Sequence, residues 1–171
     1  IETADAILIV GSHIRWEAPL VNVRLRKAAK RGAKFFVVGP EWETTFPAKF
    51  LGENVSILSD LPAEAGEAMG KAERPAIILG GGALVKGAHA PALALAEEWN
   101  LVRDGWNGFN VLHFSAARMG GLMLGYAQKG GIADIVEAAP KLVLALGADE
   151  ANYAPFEGAL KVYIGHHGDK G

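Results

Sequence analysis

Residues that could do chemistry or let a ligand approach the backbone gather in four short stretches, and each stretch follows an apolar run. Gly11-Ser12-His13-Ile14-Arg15-Trp16 follows Ala6-Ile7-Leu8-Ile9-Val10, and Gly80-Gly81-Gly82 follows Pro75-Ala76-Ile77-Ile78-Leu79. Gly147-Ala148-Asp149-Glu150 follows Leu142-Val143-Leu144-Ala145-Leu146, and Gly165-His166-His167-Gly168-Asp169 follows Val162-Tyr163-Ile164. Hydroxyl, imidazole, guanidinium and carboxylate groups suit ligand contact and proton transfer. Ligands of open α/β sheets bind outside the carboxyl ends of the strands, which is where these stretches fall.

Several specific chemistries are excluded. Gly11 is not followed by glycines two and five positions on, so the first loop is no dinucleotide fingerprint; nor does it end in the Gly-Lys-Ser/Thr of a phosphate cradle. It serves either ligand contact or plain connection. The three glycines allow close approach of a ligand or a tight turn into a helix. His166 and His167, adjacent on an extended chain, point to opposite faces, and no helical i, i+4 pair elsewhere completes a metal site with Asp169. No serine sits in a Gly-x-Ser-x-Gly elbow. Asp104, Asp149, Glu150 and Asp169 lie in loops, where they either meet a ribose or amine or are simply solvated. No catalytic residue and no metal site is assigned.

The elements that position these groups follow from the apolar runs. Short runs apolar on both faces are strands buried in a parallel sheet. A helix is expected from about Glu17 to Arg31, with Pro19 in its first turn, Lys27, Lys30 and Arg31 in its last, and Gly32 ending it. Phe35–Val38 then completes a right-handed βαβ unit. Glu41 to Gly52 is expected to be irregular, Val55–Leu58 a short strand, and Pro62 to Met69 a helix capped by Asp60. A helix over Ala90–Trp99, a brief strand at Asn100–Val102 and a helix from Asn110 to Met119 follow. A short helix at Ile132–Ala138 stops before Pro140. The expected fold class is α/β, a mostly parallel sheet with helices on both faces. Two Rossmann-like halves, residues 1–72 and 73–171, would share that sheet. An internal echo supports two halves: Gly11 and Gly147 each precede a proline by eight residues, and Gly32–Gly39 and Gly158–Gly165 share one spacing.

Composition narrows the class further. The 171 residues are half hydrophobic, with net charge −2, which offers no electrostatic case for nucleic acid or a membrane surface. Arg24, Arg26, Lys27, Lys30 and Arg31 read as a solvated helix face. The sequence has no cysteine, which excludes thiol catalysis, disulfides and cysteine-ligated clusters within it. No apolar run approaches the ~18 residues that span a bilayer, so no direct membrane insertion is expected. A start at Ile1 and a stop just after a strand suggest a piece of a longer protein.

The run Leu8-Ile9-Val10-Gly11-Ser12-His13-Ile14-Arg15-Trp16-Glu17-Ala18-Pro19-Leu20 resembles the large iron–sulfur subunit of respiratory complex I, the 75-kDa subunit of mitochondria and its counterpart in bacterial NADH-quinone oxidoreductase. That family's form is Gly-Thr/Ser-Asn-Pro-Arg-aromatic-Glu-Ala-Pro-Leu, with an asparagine soon after, here Asn22. Asn110-Val111-Leu112-His113, Leu124-Gly125-Tyr126, Leu146-Gly147-Ala148-Asp149 and Gly165-His166-His167-Gly168-Asp169 match in order. His13-Ile14 stands where the family has Asn-Pro. The resemblance implies a carboxyl-terminal domain of molybdopterin-oxidoreductase type, positioning and covering rather than carrying electrons. It implies no cofactor in this segment, with iron–sulfur clusters and NADH in the parent. Its partners would be the amino-terminal iron–sulfur part of the chain and other complex I subunits. The parent complex would lie peripherally, on the cytoplasmic side of a bacterial inner membrane or the matrix side in mitochondria. Vestigial cofactor-binding positions would be Gly11, Ser12, Arg15, Gly147, Asp149, His167 and Asp169. The alternative the resemblance leaves is a domain that still binds a pterin or guanine nucleotide there.

Overall fold

Ala6–Val10, fully buried along its length, is the central strand of a five-stranded parallel sheet in a computed structural model. The structure describes residues 1–115, 118–126, 130–148 and 151–165. In chain order the first part runs β1 (Ala6–Val10), α1 (Ile14–Glu17), α2 (Pro19–Lys30), β2 (Lys34–Val38), β3 (Lys49–Gly52), α3 (Ala63–Lys71) and β4 (Pro75–Leu79). It continues with α4 (Gly81–Val85), α5 (His89–Glu98), β5 (Val102–Arg103), β6 (Trp106–Asn107) and β7 (Phe109–Val111). The sheet order is β3-β2-β1-β4-β7, with β1 paired to β2 and to β4 over all five residues.

Successive residues of a strand face opposite sides, so the apolar runs feed two cores. Leu8, Val10, Phe36, Ile77 and Leu79 pack with Met69 of α3 and Leu95 of α5. Ile7, Ile9, Phe35, Val37 and Ile78 pack with Leu25 and Ala28 of α2. Each fully buried aliphatic side chain among them contributes about 1.5–3 kcal/mol. Helices on both faces of a parallel sheet are what those runs require.

Several expected elements differ. The helix from Glu17 to Arg31 is two helices, broken at Ala18 (φ −143°, ψ 67°), because the residue before Pro19 is driven out of the α region. Val55–Ser59 is a 3-10 turn rather than a strand, opened by Asn54, whose side chain accepts the Ser56 N–H at 2.9 Å. The strand lies instead in the stretch expected to be irregular, at Lys49–Gly52 beside β2. Asn110 caps no helix; it lies within β7, parallel to β4, and its Nδ2 donates to the carbonyls of Ile77 and Gly108. A free edge beside β4 decides that apolar stretch in favour of a strand. Residues 104–105 turn a small β5–β6 hairpin.

The chain divides into two compact units, Ile1–Ala116 and Ala117–Gly171, rather than between residues 72 and 73. Contacts cross residue 72 because β4 runs the length of β1. The second unit holds α6 (Arg118–Met123), α7 (Ile132–Glu137), β8 (Leu142–Leu146) and β9 (Leu160–Ile164). β8 and β9 form a two-stranded parallel sheet of their own. The echo nevertheless has a structural counterpart. Gly11 (φ +58°) ends β1 with its N–H on Val38 O at 2.8 Å, and Gly147 (φ +60°) ends β8 with its N–H on Ile164 O at 2.8 Å. No helix among the described residues is long and apolar enough to cross a membrane.

Candidate functional site

The order in which strands are added reverses at β1: β2 and β3 lie on one side of it, β4 and β7 on the other. Crevices at such switch points are where doubly wound sheets hold ligands. Three glycines line this one, Gly11 after β1, Gly39 after β2 and Gly80 after β4, where the Gly80 N–H bonds to Val10 O at 2.8 Å. A cavity of about 360 Å³ opens over the ends of β1 and β2. Its ionisable lining is Glu17, Glu41, Glu53, His13 and Lys86, a set richer in carboxylate than in cationic charge.

Between β1 and β4 the described residues close on one another. A Cβ on Gly11 would sit 2.5 Å from Ala83 Cβ and 2.7 Å from Ala83 N, and one on Gly80 would sit 2.3 Å from Gly11 O. The two strand ends touch backbone to backbone. At Gly81 the position a Cβ would take lies 2.1 Å from the ring of Phe114, the third residue after β7. Gly11 and Gly80 therefore permit close packing of the two strand ends, and the Phe114 ring covers Gly81.

The polar groups of the first loop are turned on one another. Ser12, buried at 6% exposure, donates its hydroxyl to Glu17 Oε2 at 2.7 Å. The His13 backbone N–H donates to Glu17 Oε1 at 3.1 Å. One carboxylate thus takes both donors that would otherwise point at an anion, and carries a negative charge to the same spot. The His13 ring lies 4.7 Å from the Trp42 ring, centroid to centroid, and its Nδ1 is buried with no hydrogen-bond partner among the described residues. Arg15 pairs with Glu43 at 3.0 Å in an exposed bridge and does not line the cavity. Buried Asn22 accepts from the Thr45 hydroxyl at 3.0 Å, tying α2 to the segment after β2.

Gly11 and Ser12 therefore lie at the switch point, with Arg15 just beyond it. Gly147 belongs to the other unit, where Ala148 O accepts the Tyr153 hydroxyl. Asp149, His167 and Asp169 lie outside the described residues. Read from sequence, Glu17 is only a helix-start residue and Phe114 has no role at the glycine turn. The spacing Ser12-x-x-x-x-Glu17 is the available signal for the first; nothing in the sequence points to the second. Among the described residues no group of three or more His, Asp or Glu side chains could hold a metal ion.

An open parallel sheet with a crevice at the switch point defines the Rossmann-like class of domains. The sequence profile of the molybdopterin oxidoreductase family matches residues 1–171, and the chain belongs to that family. It is 37% identical, over its whole length, to the mitochondrial NADH-ubiquinone oxidoreductase 78 kDa subunit of Neurospora crassa, covering 24% of that protein. It is 34% identical to an NADH-quinone oxidoreductase subunit of Rickettsia typhi, covering 26%. Against the mitochondrial NADH dehydrogenase [ubiquinone] iron-sulfur protein 1 of Solanum tuberosum it is 36% identical, covering 24%. The chain spans about a quarter of the length of these curated relatives.

Proposed function

We propose that the chain is a structural and interaction domain of the peripheral arm of a proton-translocating NADH:quinone oxidoreductase. The names of its relatives support the complex, and the observation that supports the passive role is Glu17. Its carboxylate occupies the Ser12 and His13 donors where the family's dinucleotide cofactor would need phosphate-binding groups. With Gly11 packed on Ala83 and carboxylates around the cavity, the residues present do not fit a molybdopterin dinucleotide. Electrons would pass from NADH to quinone through iron–sulfur clusters held elsewhere, since this sequence has no cysteine to ligate one. Partners would be the amino-terminal iron–sulfur part of the longer chain and neighbouring subunits. The domain would then lie peripherally, on the bacterial cytoplasmic side or the mitochondrial matrix side.

A second reading, a domain that still holds a free pterin or guanine nucleotide, has one observation in its favour. The cavity over β1 and β2, about 360 Å³, is within the range of small-molecule sites.

The assignment is tested by tagging the full-length chain in its source organism and solubilising membranes gently. The tag is expected to co-migrate with NADH-dependent quinone reduction and the other subunits in one high-mass assembly. A tagged protein recovered free of that assembly, or carrying bound molybdenum, contradicts it.

A further inference from the structure

We infer that the solvent face of α2, together with Trp16 of α1, is the docking surface for an acidic amphipathic segment of another subunit; this rests on the proposed membership of the complex. Leu25 and Ala28 point α2 into the core, and Leu20, Val23, Lys27 and Lys30 follow one another at i, i+3, i+4 spacing on the opposite side. Leu20 is 79% exposed, Val23 48% and Trp16 76%. Single exposed apolar residues need no explanation, but Leu20 and Val23 share one exposed stripe of α2, and Trp16 is exposed just before it in α1. A grouping of exposed apolar residues of this kind marks interaction sites. Trp is also the residue type most enriched among binding hot spots.

Charge identifies the occupant. The helix carries Arg24, Arg26, Lys27 and Lys30 and no acidic residue. Glu2 engages Arg24 at 3.0 Å and Lys27 at 2.9 Å, whereas Arg26 and Lys30 have no ion-pair partner among the described residues. Attraction to the negative end of the helix dipole accounts for Lys30 at the last turn, but not for Arg26 in the middle. A second copy of this chain is a poor occupant, because a two-fold contact would set the same basic face against itself. A segment with apolar anchors for Trp16, Leu20 and Val23 and carboxylates for Arg26 and Lys30 satisfies both halves of the surface.

The test uses the full-length chain in its assembled complex. Leu20 is replaced by the photo-crosslinker p-benzoylphenylalanine, with Val85, 88% exposed on α4, as the control position. Irradiation and peptide mass spectrometry are expected to link position 20 to a net-acidic peptide of a different subunit. The pair Arg26→Glu and Lys30→Glu should lower the yield about fivefold, which corresponds to two exposed ion pairs worth about 1 kcal/mol together. A link to the same chain, to a second copy or to a basic segment overturns the inference. So does no link at position 20 when the chain is present in the complex. Absence of the chain from the complex overturns the membership itself, and the surface assignment with it.

Discussion

The Ser12 hydroxyl donates to the Glu17 carboxylate across 2.7 Å, and the same carboxylate accepts the His13 N–H. The loop after the central strand is thereby held shut by its own residues. Removing the carboxylate leaves a buried hydroxyl and a backbone donor without their acceptor, at a cost of about 1–3 kcal/mol. Glu17→Ala is expected to lose that much stability in urea unfolding. Glu17→Gln, which still accepts a hydrogen bond, should lose about 1 kcal/mol.

Close approach of β1 and β4 sorts the glycines. Gly11→Ala combines a positive φ with a Cβ against Ala83 backbone atoms, and about 2–4 kcal/mol of destabilisation is expected from strain and overpacking. Gly80→Ala meets the Gly11 carbonyl and should behave alike. Gly81→Ala meets only the ring of Phe114, a side chain 72% exposed that can swing away, so less than about 1 kcal/mol is expected. Denaturant midpoints of the three variants check the ranking; equal losses at Gly80 and Gly81 would contradict it.

The Lys27 ammonium bonded to Glu2, aided by the charge of Lys27, Arg24 and Arg31, holds the Glu2 carboxyl below the ordinary glutamate range, although some desolvation opposes this. A depressed folded value means the contribution is present above the unfolded value of about 4.3. It is lost as pH falls through the lower folded value. An NMR titration of the Glu2 side chain should show the low midpoint in the native chain and its return toward the ordinary range in Lys27→Ala.

Much of this fold can be read from residue types. Ile7-Leu8-Ile9 and Ile77-Ile78-Leu79 have no polar side chain and lie beside glycine or turn signals, so burial leaves them few alternatives; Leu142–Leu146 is also a strand, though only Ala145 of it is buried among the described residues. Asn110 reads as a helix cap because a three-residue strand has too little periodicity to outweigh a capping residue; the open edge beside β4 decides otherwise. Val55–Leu58 has strand propensity but is turned by Asn54, a local hydrogen bond that composition does not show. At the site, the glycines are visible in sequence as strand ends. Their purpose is not, because the contacts of Gly11 with Ala83 and of Gly81 with Phe114 join residues far apart in the chain. The matching geometry of Gly11 and Gly147 gives the weak internal repeat a structural basis.

Whether the switch-point crevice takes a nucleotide is read by thermal-shift titration with GDP, GTP and molybdopterin guanine dinucleotide. A ligand bound only by the native chain at about 100 times its dissociation constant adds about 2.7 kcal/mol, a rise of roughly 5–10 °C for a domain of this size. No shift is expected with any of the three from a chain that melts cooperatively. A rise of that size with a guanine nucleotide, abolished by blocking the loop at Ser12, would contradict the passive role and establish the crevice as a working site.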